Sequence, residues 1–241
     1  MSAVNPASAQ LVCRRLKLER RAVALNLFAH PFSSYCQKVL VALYENVTPF
    51  DLRLLDRADQ ATMTEFAALW PLGRFPLLLD GDHPCAESTI IIEHLDLRHP
   101  GPVRLIPEDR AVALEVRFLD RFFDNYVQTP MQKIVLDAMR GEGEHDPRGV
   151  TEAHALLETA YAWLDRRIAG REWAAGPAFT LADCAAAPAL FYADWAHPIP
   201  EALPSARAYR RRLNARPSFA RAIEEARPYR PYFPLGAPDR D

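Results

Sequence analysis

The sequence predicts an α/β domain followed by an all-α domain, and three observations carry that prediction. Short runs that alternate apolar and polar residues interleave with helix-period stripes over residues 23–100. The proline- and glycine-containing stretch HPGPVRLIP, residues 99–107, interrupts both patterns. Beyond it no strand alternation survives, and only helical stripes follow.

Each element can be justified in turn. Val23-Ala24-Leu25-Asn26-Leu27-Phe28 reads as a short buried strand. After a turn at Pro31-Phe32-Ser33, residues Cys36, Val39, Leu40, Leu43 and Val47 fall on one helical face. Phe50, Leu52 and Leu54 alternate with Asp51 and Arg53, which is the pattern of a second strand. Residues 58–69 make a short helix closed by Pro71 and Gly73, and Phe75 to Leu79 make a third strand. Asp80-Gly81-Asp82 is a hairpin turn, since glycine accepts the positive φ such turns need, and His83 to Ala86 return as the fourth strand. Glu87-Ser88 then opens a helix through Ile91, Leu95 and Leu97, stopped by Pro100-Gly101-Pro102. The order is βαβ-α-ββα, which buries its patterns best as a sheet with helices on both faces.

In the second half, Phe118, Leu119, Phe122 and Tyr126 share a helical stripe that Pro130 kinks or restarts. GEGEHDPRG, residues 141–149, is a solvated loop. Ala153, Leu156, Leu157, Ala160, Tyr161, Leu164 and Ile168 form the most regular helical face in the chain. Thr180-Leu181-Ala182-Asp183 is a capping-box start, a folding device rather than a site. Two arginine-rich helices lead to a proline-rich tail, RPYRPYFPLG. The expected division is therefore an extension over 1–22, an α/β domain over 23–100, a linker over 101–107 and an all-α domain over 108–241. The small, polar and then basic residues 1–22 read as a disordered or non-native extension, with a mitochondrial-type presequence as the alternative.

Composition narrows the function. A net charge of −2 gives no electrostatic reason to expect nucleic acid or a membrane surface as partner. No apolar run reaches the length that spans a bilayer. Cys13, Cys36, Cys85 and Cys184 show no paired spacing, so reduced thiols in a cytoplasmic protein are expected rather than a disulfide framework. The seven histidines form no HExxH or CxxC-type arrangement, so no metal site is expected.

The chemistry concentrates at Ser33-Ser34-Tyr35-Cys36, directly after the first strand and at the start of a helix. Ser33 or Ser34 can serve as an ordinary N-cap. Either hydroxyl can also face a ligand, because both tasks use an oxygen beside the unpaired N–H groups of a helix start. Cys36 shares the apolar face of Val39, Leu40 and Leu43, which argues for a packed and unreactive thiol.

Taken in order, the strand, the S-S-Y-C turn, P-L-G-R-F-P, A-E-S opening a helix, F-T-L-A-D and R-P-S-F resemble a cytosolic glutathione S-transferase of the bacterial type with serine at the active-site turn. The resemblance covers about residues 23–226. It implies a thioredoxin-like N-terminal domain followed by an all-helical C-terminal domain, the GST fold. It places Ser33 at the first position of a C-x-x-C-type turn, as the group that stabilises the thiolate of glutathione, with Ser34 as runner-up or second contact. It implies that Phe75-Pro76 is a cis peptide whose first residue pairs with the cysteinyl part of glutathione through its backbone. Arg74 would then lie near the glycyl end, and Glu87 and Ser88 would hold the γ-glutamyl end. The electrophile would sit between domains against Phe32, Phe122, Tyr126 and Met131. Trp70, where many relatives carry asparagine, is a departure affecting the loop before Phe75.

The function so implied is conjugation of glutathione, as co-substrate, to a small apolar electrophile by a cytoplasmic homodimer active in detoxification. The alternatives are a glutathione-dependent disulfide oxidoreductase or peroxidase, which needs the same thiolate, and a non-catalytic ligand- or protein-binding member of the fold.

Overall fold

A computed structural model describes residues 25–241. Val23, Ala24, Cys13 and the expectations for residues 1–22 lie outside that span. The N-terminal part runs β1 (Leu25–Ala29), α1 (Ser34–Glu45), β2 (Asp51–Leu54), α2 (Gln60–Leu69), β3 (Leu77–Asp80), β4 (His83–Ala86) and α3 (Ser88–Arg98). The strands form one mixed sheet in the order β2-β1-β3-β4, with β2 parallel to β1 and the β3–β4 hairpin antiparallel. This is a thioredoxin-like domain.

Strand β1 explains why the sheet is covered on both sides. Leu25, Leu27 and Ala29 enter the large core shared with α1 and α3, whereas Phe28 joins a smaller core of Leu55, Phe66 and Leu77 beneath α2. Alternate side chains point to opposite faces, so an apolar residue at nearly every position means burial on both. Edge strand β2 departs from the expected alternation: Leu52 is 42% exposed, because only one side of an edge strand gains a neighbour. Gly81, with φ of 60°, makes the hairpin turn as expected.

The helical part comprises α4 (Arg110–Phe122), a π-helical turn over Phe123–Gln128, α5 (Thr129–Ala138), α6 (Pro147–Ile168), α7 (Leu181–Ala196), α8 (Pro204–Asn214) and α9 (Pro217–Ala226), closed by a 3₁₀ segment, Arg227–Tyr232. Pro130 restarts the helix, as the sequence predicts, but through a π turn rather than a break. Proline lacks the N–H that would bond the carbonyl four residues back and its ring crowds that carbonyl, so the preceding turn widens. The expected α6 face is buried except for Leu156. Helix α7 is buried from Leu181 to Trp195, and its many alanines let α1, α4 and α8 approach it closely. The capping box is present: the Asp183 carboxylate accepts from the Thr180 N–H at 2.9 Å and also from the Ala174 N–H and the Tyr209 hydroxyl.

Helix α1 is held by the helical domain along its length. Near its start the buried Lys38 ammonium lies 2.6 Å from Asp120 and 2.9 Å from Asp124. Arg121 also pairs with both acids, so the buried charges are shared in a network rather than isolated. At its far end Glu45 receives both arms of Arg216, at 2.9 and 2.6 Å, together with the Ser218 hydroxyl. Asn46, which follows, accepts from the Val103 N–H, and Gly101 approaches it so closely that an added Cβ would lie 2.4 Å from its side chain. Only glycine fits there, and the chain between the domains is fastened to the end of α1.

Burial opposes ionisation of Glu45, but hydrogen bonds from Arg216 and Ser218 and the nearby positive charge outweigh it and hold its carboxyl below the usual range. A carboxylate depressed on folding contributes stability above its unfolded value of about 4.3, and that contribution fades as pH falls toward the folded value. Glu45→Gln is therefore expected to lower stability by about 2 kcal/mol at neutral pH. It should also flatten the acid limb below about pH 4.3. Urea midpoints at stepped pH test this, and parallel profiles for the two proteins would refute it.

Candidate functional site

The first turn of α1 opens on a cleft of about 360 Å³ lined by His30, Phe32, Ser33, Ser34, Phe75, Gln128, Met131, Tyr192 and the tail residues Tyr232 and Phe233, among others. Ser33 is the N-cap of α1; its Oγ is 3.5 Å from the Cys36 N–H, at the limit of a hydrogen bond. That hydroxyl is partly exposed beside the positive end of the helix and also lies within hydrogen-bonding reach of the Cys36 thiol. Ser34 is placed differently. It is buried, and its Oγ accepts from the Gln128 amide on the other domain. Both serines border the cleft, but only Ser34 is committed to a hydrogen bond that joins the domains.

The neighbours of this turn hold it without competing for charge. Gln37 donates to the Pro31 carbonyl at 2.9 Å and to the Tyr192 hydroxyl at 3.0 Å. His30 Nδ1 accepts from the Phe32 N–H at 3.2 Å, and its ring lies edge-on to Tyr229. Burial lowers the His30 pKa, with Asp56 opposing, so the ring is neutral near pH 7. Cys36 is fully buried, and burial pushes its thiol up to about 12, which makes it inert as expected from its apolar neighbours. Tyr35 is likewise pushed up to about 12 by burial and by the Asp124 carboxylate, so its phenol stays protonated.

The Phe75-Pro76 peptide is cis, as the resemblance implied. Phe75 is 41% exposed and lines the cleft, Pro76 is buried, and Arg74 is exposed in the loop before them. Phe75 also borders a larger cavity of about 640 Å³, walled by Leu54 to Arg57, Phe66, Gly73 and Tyr229.

At the junction of β4 and α3, Glu87 has φ of 71°. A non-glycine residue there stores of order 1–3 kcal/mol of strain, the kind that persists where a site fixes the backbone. No side chain caps α3, so the N–H groups of its first turn, from buried Ser88 onward, lack a side-chain acceptor. That is an anion-binding geometry. The two helix starts are tied together: Lys38, one turn into α1, also donates to Thr89 Oγ1 at 2.9 Å.

Two expectations for the cleft fail. Phe122 is buried, 4.4 Å from Trp163 between ring centroids, inside the helical domain. Tyr126 sits in the π turn, 47% exposed, and does not line the cleft. The widened turn shifts the register, so the stripe read from 118 to 126 does not continue into the wall of the cleft. Phe32 and Met131 do line it. The wall is built instead by the next turns, Gln128, Met131, Gln132, Val135, Leu136 and Met139, a helical period readable in the sequence had the stripe been restarted at Pro130. Tyr192 and the Tyr232-Phe233-Pro234 tail complete it, and for these no local signal exists.

Comparison with known proteins agrees with this architecture. Residues 27–103 match the glutathione S-transferase N-terminal domain and residues 147–212 the glutathione S-transferase C-terminal domain. The chain belongs to the glutathione S-transferase family. It is similar to the glutathione S-transferase-like protein LUC7 of Fusarium sp., 29% identical over 65% of this chain and 71% of that one. It is similar as well to FtsZ-localized protein A of Caulobacter vibrioides, 27% identical over 82% of this chain and 90% of that one. Among solved structures, a glutathione S-transferase from Methylobacillus flagellatus KT with GSH bound superposes with a TM-score of 0.75 at 26% identity, over 83% of this chain and 98% of that one.

Proposed function

We propose that the protein is a glutathione transferase of the serine type, in which Ser33 stabilises the glutathione thiolate for attack on a small apolar electrophile. The observation that supports this most is the Ser33 hydroxyl at the start of α1, in the cleft that Phe75 of the cis Phe75-Pro76 peptide also lines. Glutathione's thiol, titrating like cysteine near 8.5, is only a few per cent ionised at neutral pH. Lowering its pKa by about two units takes roughly 2.7 kcal/mol. One hydroxyl donor plus the helix dipole is of that order.

In this reading the backbone of Phe75 pairs with the cysteinyl unit, Arg74 lies toward the glycyl carboxylate, and Glu87 and the α3 start take the γ-glutamyl ammonium and carboxylate. Ser34, already bonded to Gln128, supports the turn rather than the sulfur. The thiolate forms a C–S bond as a leaving group such as halide departs with its electron pair, the thiol proton having gone to solvent. Phe32, Met131, Val135, Leu136 and Met139 supply an apolar wall that selects an apolar electrophile. The buried, unpaired thiols Cys36, Cys85 and Cys184 suit a cytoplasmic setting, and no helix among the described residues is long and apolar enough to cross a membrane.

A homodimer completes the reading. Arg117 of α4 and Glu93 of α3 pair on the surface, and exposed apolar residues flank both partners at helical spacing: Ile90 and Leu97 on α3, Leu114 and Phe118 on α4. Such a patch fits a self-complementary interface. Light scattering is expected to give twice the chain mass, and a monomer mass would remove this part.

The similarity to FtsZ-localized protein A, which spans more of this chain than the match to the Fusarium protein, favours a second reading: a family member that binds a protein partner without turnover. Turnover decides. With an aryl halide, a mixed disulfide and an organic hydroperoxide assayed side by side, the halide is expected to be conjugated. Ser33→Ala should lose about tens-fold in kcat/KM at neutral pH, and Ser34→Ala much less. Absence of halide turnover with brisk disulfide reduction, or a Ser33→Ala variant as active as the parent, would overturn the proposal.

A further inference from the structure

We propose that Asp80, His94 and His99 form a binding site for one divalent transition-metal ion of the zinc class, away from the glutathione cleft and independent of it. Asp80 Oδ2 lies 2.8 Å from His94 Nε2 and 2.7 Å from His99 Nε2. The three ligand atoms are all within 4.8 Å of one another. Two imidazoles and a carboxylate converging on one point form the donor set that zinc, nickel and copper favour.

The fold brings them together deliberately. Asp80 ends β3 and faces α3, whose last turns carry His94. His99 stands five residues further on and would point elsewhere on a continuing helix. It leaves the helix with φ −133° and ψ 53°, since Pro100 follows and disfavours helical geometry before it. Its ring therefore turns back to the same carboxylate oxygen as His94. With metal–ligand bonds of 2.0–2.2 Å, tetrahedral ligand atoms stand about 3.3 Å apart. An ion would thus spread the present 2.7–2.8 Å contacts by about half an ångström.

The site is accessible, and a water molecule would supply the fourth ligand that three protein donors leave open. The side chains of His94, Asp80 and His99 are 14%, 13% and 22% exposed, open enough for an ion to enter and covered enough to favour its charge being paired. His83, the cross-strand partner of Asp80, stacks on His94 with centroids 5.7 Å apart. This assignment goes against the expectation that the histidines hold no metal: the i, i+5 spacing and the distant carboxylate match no regular ligand pattern.

The test is calorimetric titration of the full chain, stripped with chelator and free of glutathione, with zinc chloride. One saturable binding event per chain is expected. It should weaken at least about tenfold in His94→Ala and in the near-isosteric Asp80→Asn, and persist in His154→Ala. Zinc should raise the Tm of the parent but not of Asp80→Asn. Cobalt in place of zinc should give the visible absorption of a tetrahedral site in the parent alone. No saturable event in the parent, or parental affinity retained in His94→Ala and Asp80→Asn, would overturn the proposal.

Discussion

The buried Lys38 ammonium is the constraint from which the site follows. It sits one turn into α1, is almost fully buried, and contacts Asp120, Asp124 and Thr89. Asp120 and Asp124 belong to the helical domain, and Thr89 follows Ser88 at the start of α3. One cation therefore fixes the helical domain against the sheet domain and sets the spacing between the two helix starts, α1 and α3. Breaking such a network by removing one member leaves uncompensated buried charge, at about 3–5 kcal/mol. Precision at the site is thus coupled to the stability of the domain junction.

With α1 fixed at both ends, by Lys38 and by the Glu45–Arg216 pair, its first turn cannot drift from the cleft. The side-chain donors of Gln37 and Gln128 and the Ser34 hydroxyl around that turn are already bonded within the protein. Gln37 is used by Pro31 and Tyr192, Ser34 by Gln128, and the Cys36 and Tyr35 protons are held by burial. Ser33 is left as the cleft-lining hydroxyl without a strong partner. The contact with the Cys36 N–H uses only a lone pair of the Ser33 oxygen, so capping the helix does not consume the O–H that would donate to a ligand's sulfur.

The sheet domain was legible in the sequence because its strands are short, heavily apolar and punctuated by proline and glycine, so the βαβ-α-ββα order had few competitors. Leu25 to Phe28 could be read as buried on both faces, and Gly81 and the Thr180–Asp183 box carried their own local signals. The cleft was legible only on its sheet-domain side. Its other wall depends on a π turn that shifts the register after Phe122, which misplaced Phe122 and Tyr126, and on a tail that returns to Phe32 and Tyr192 from far along the chain. The difference between Ser33 and Ser34 likewise required knowing where Gln128 falls. The Asp80–His94–His99 cluster was hidden for a related reason, since it joins a strand end to a residue that leaves its helix.

The central claim is that Ser33 lowers the pKa of a bound thiol. Titrating the thiolate absorbance of glutathione bound to the parent and to Ser33→Ala tests it most directly. The account predicts a midpoint about two pH units below that of free thiol in the parent, and a return to near 8.5 in the variant. Equal midpoints in the two proteins, with glutathione bound to both, would contradict it.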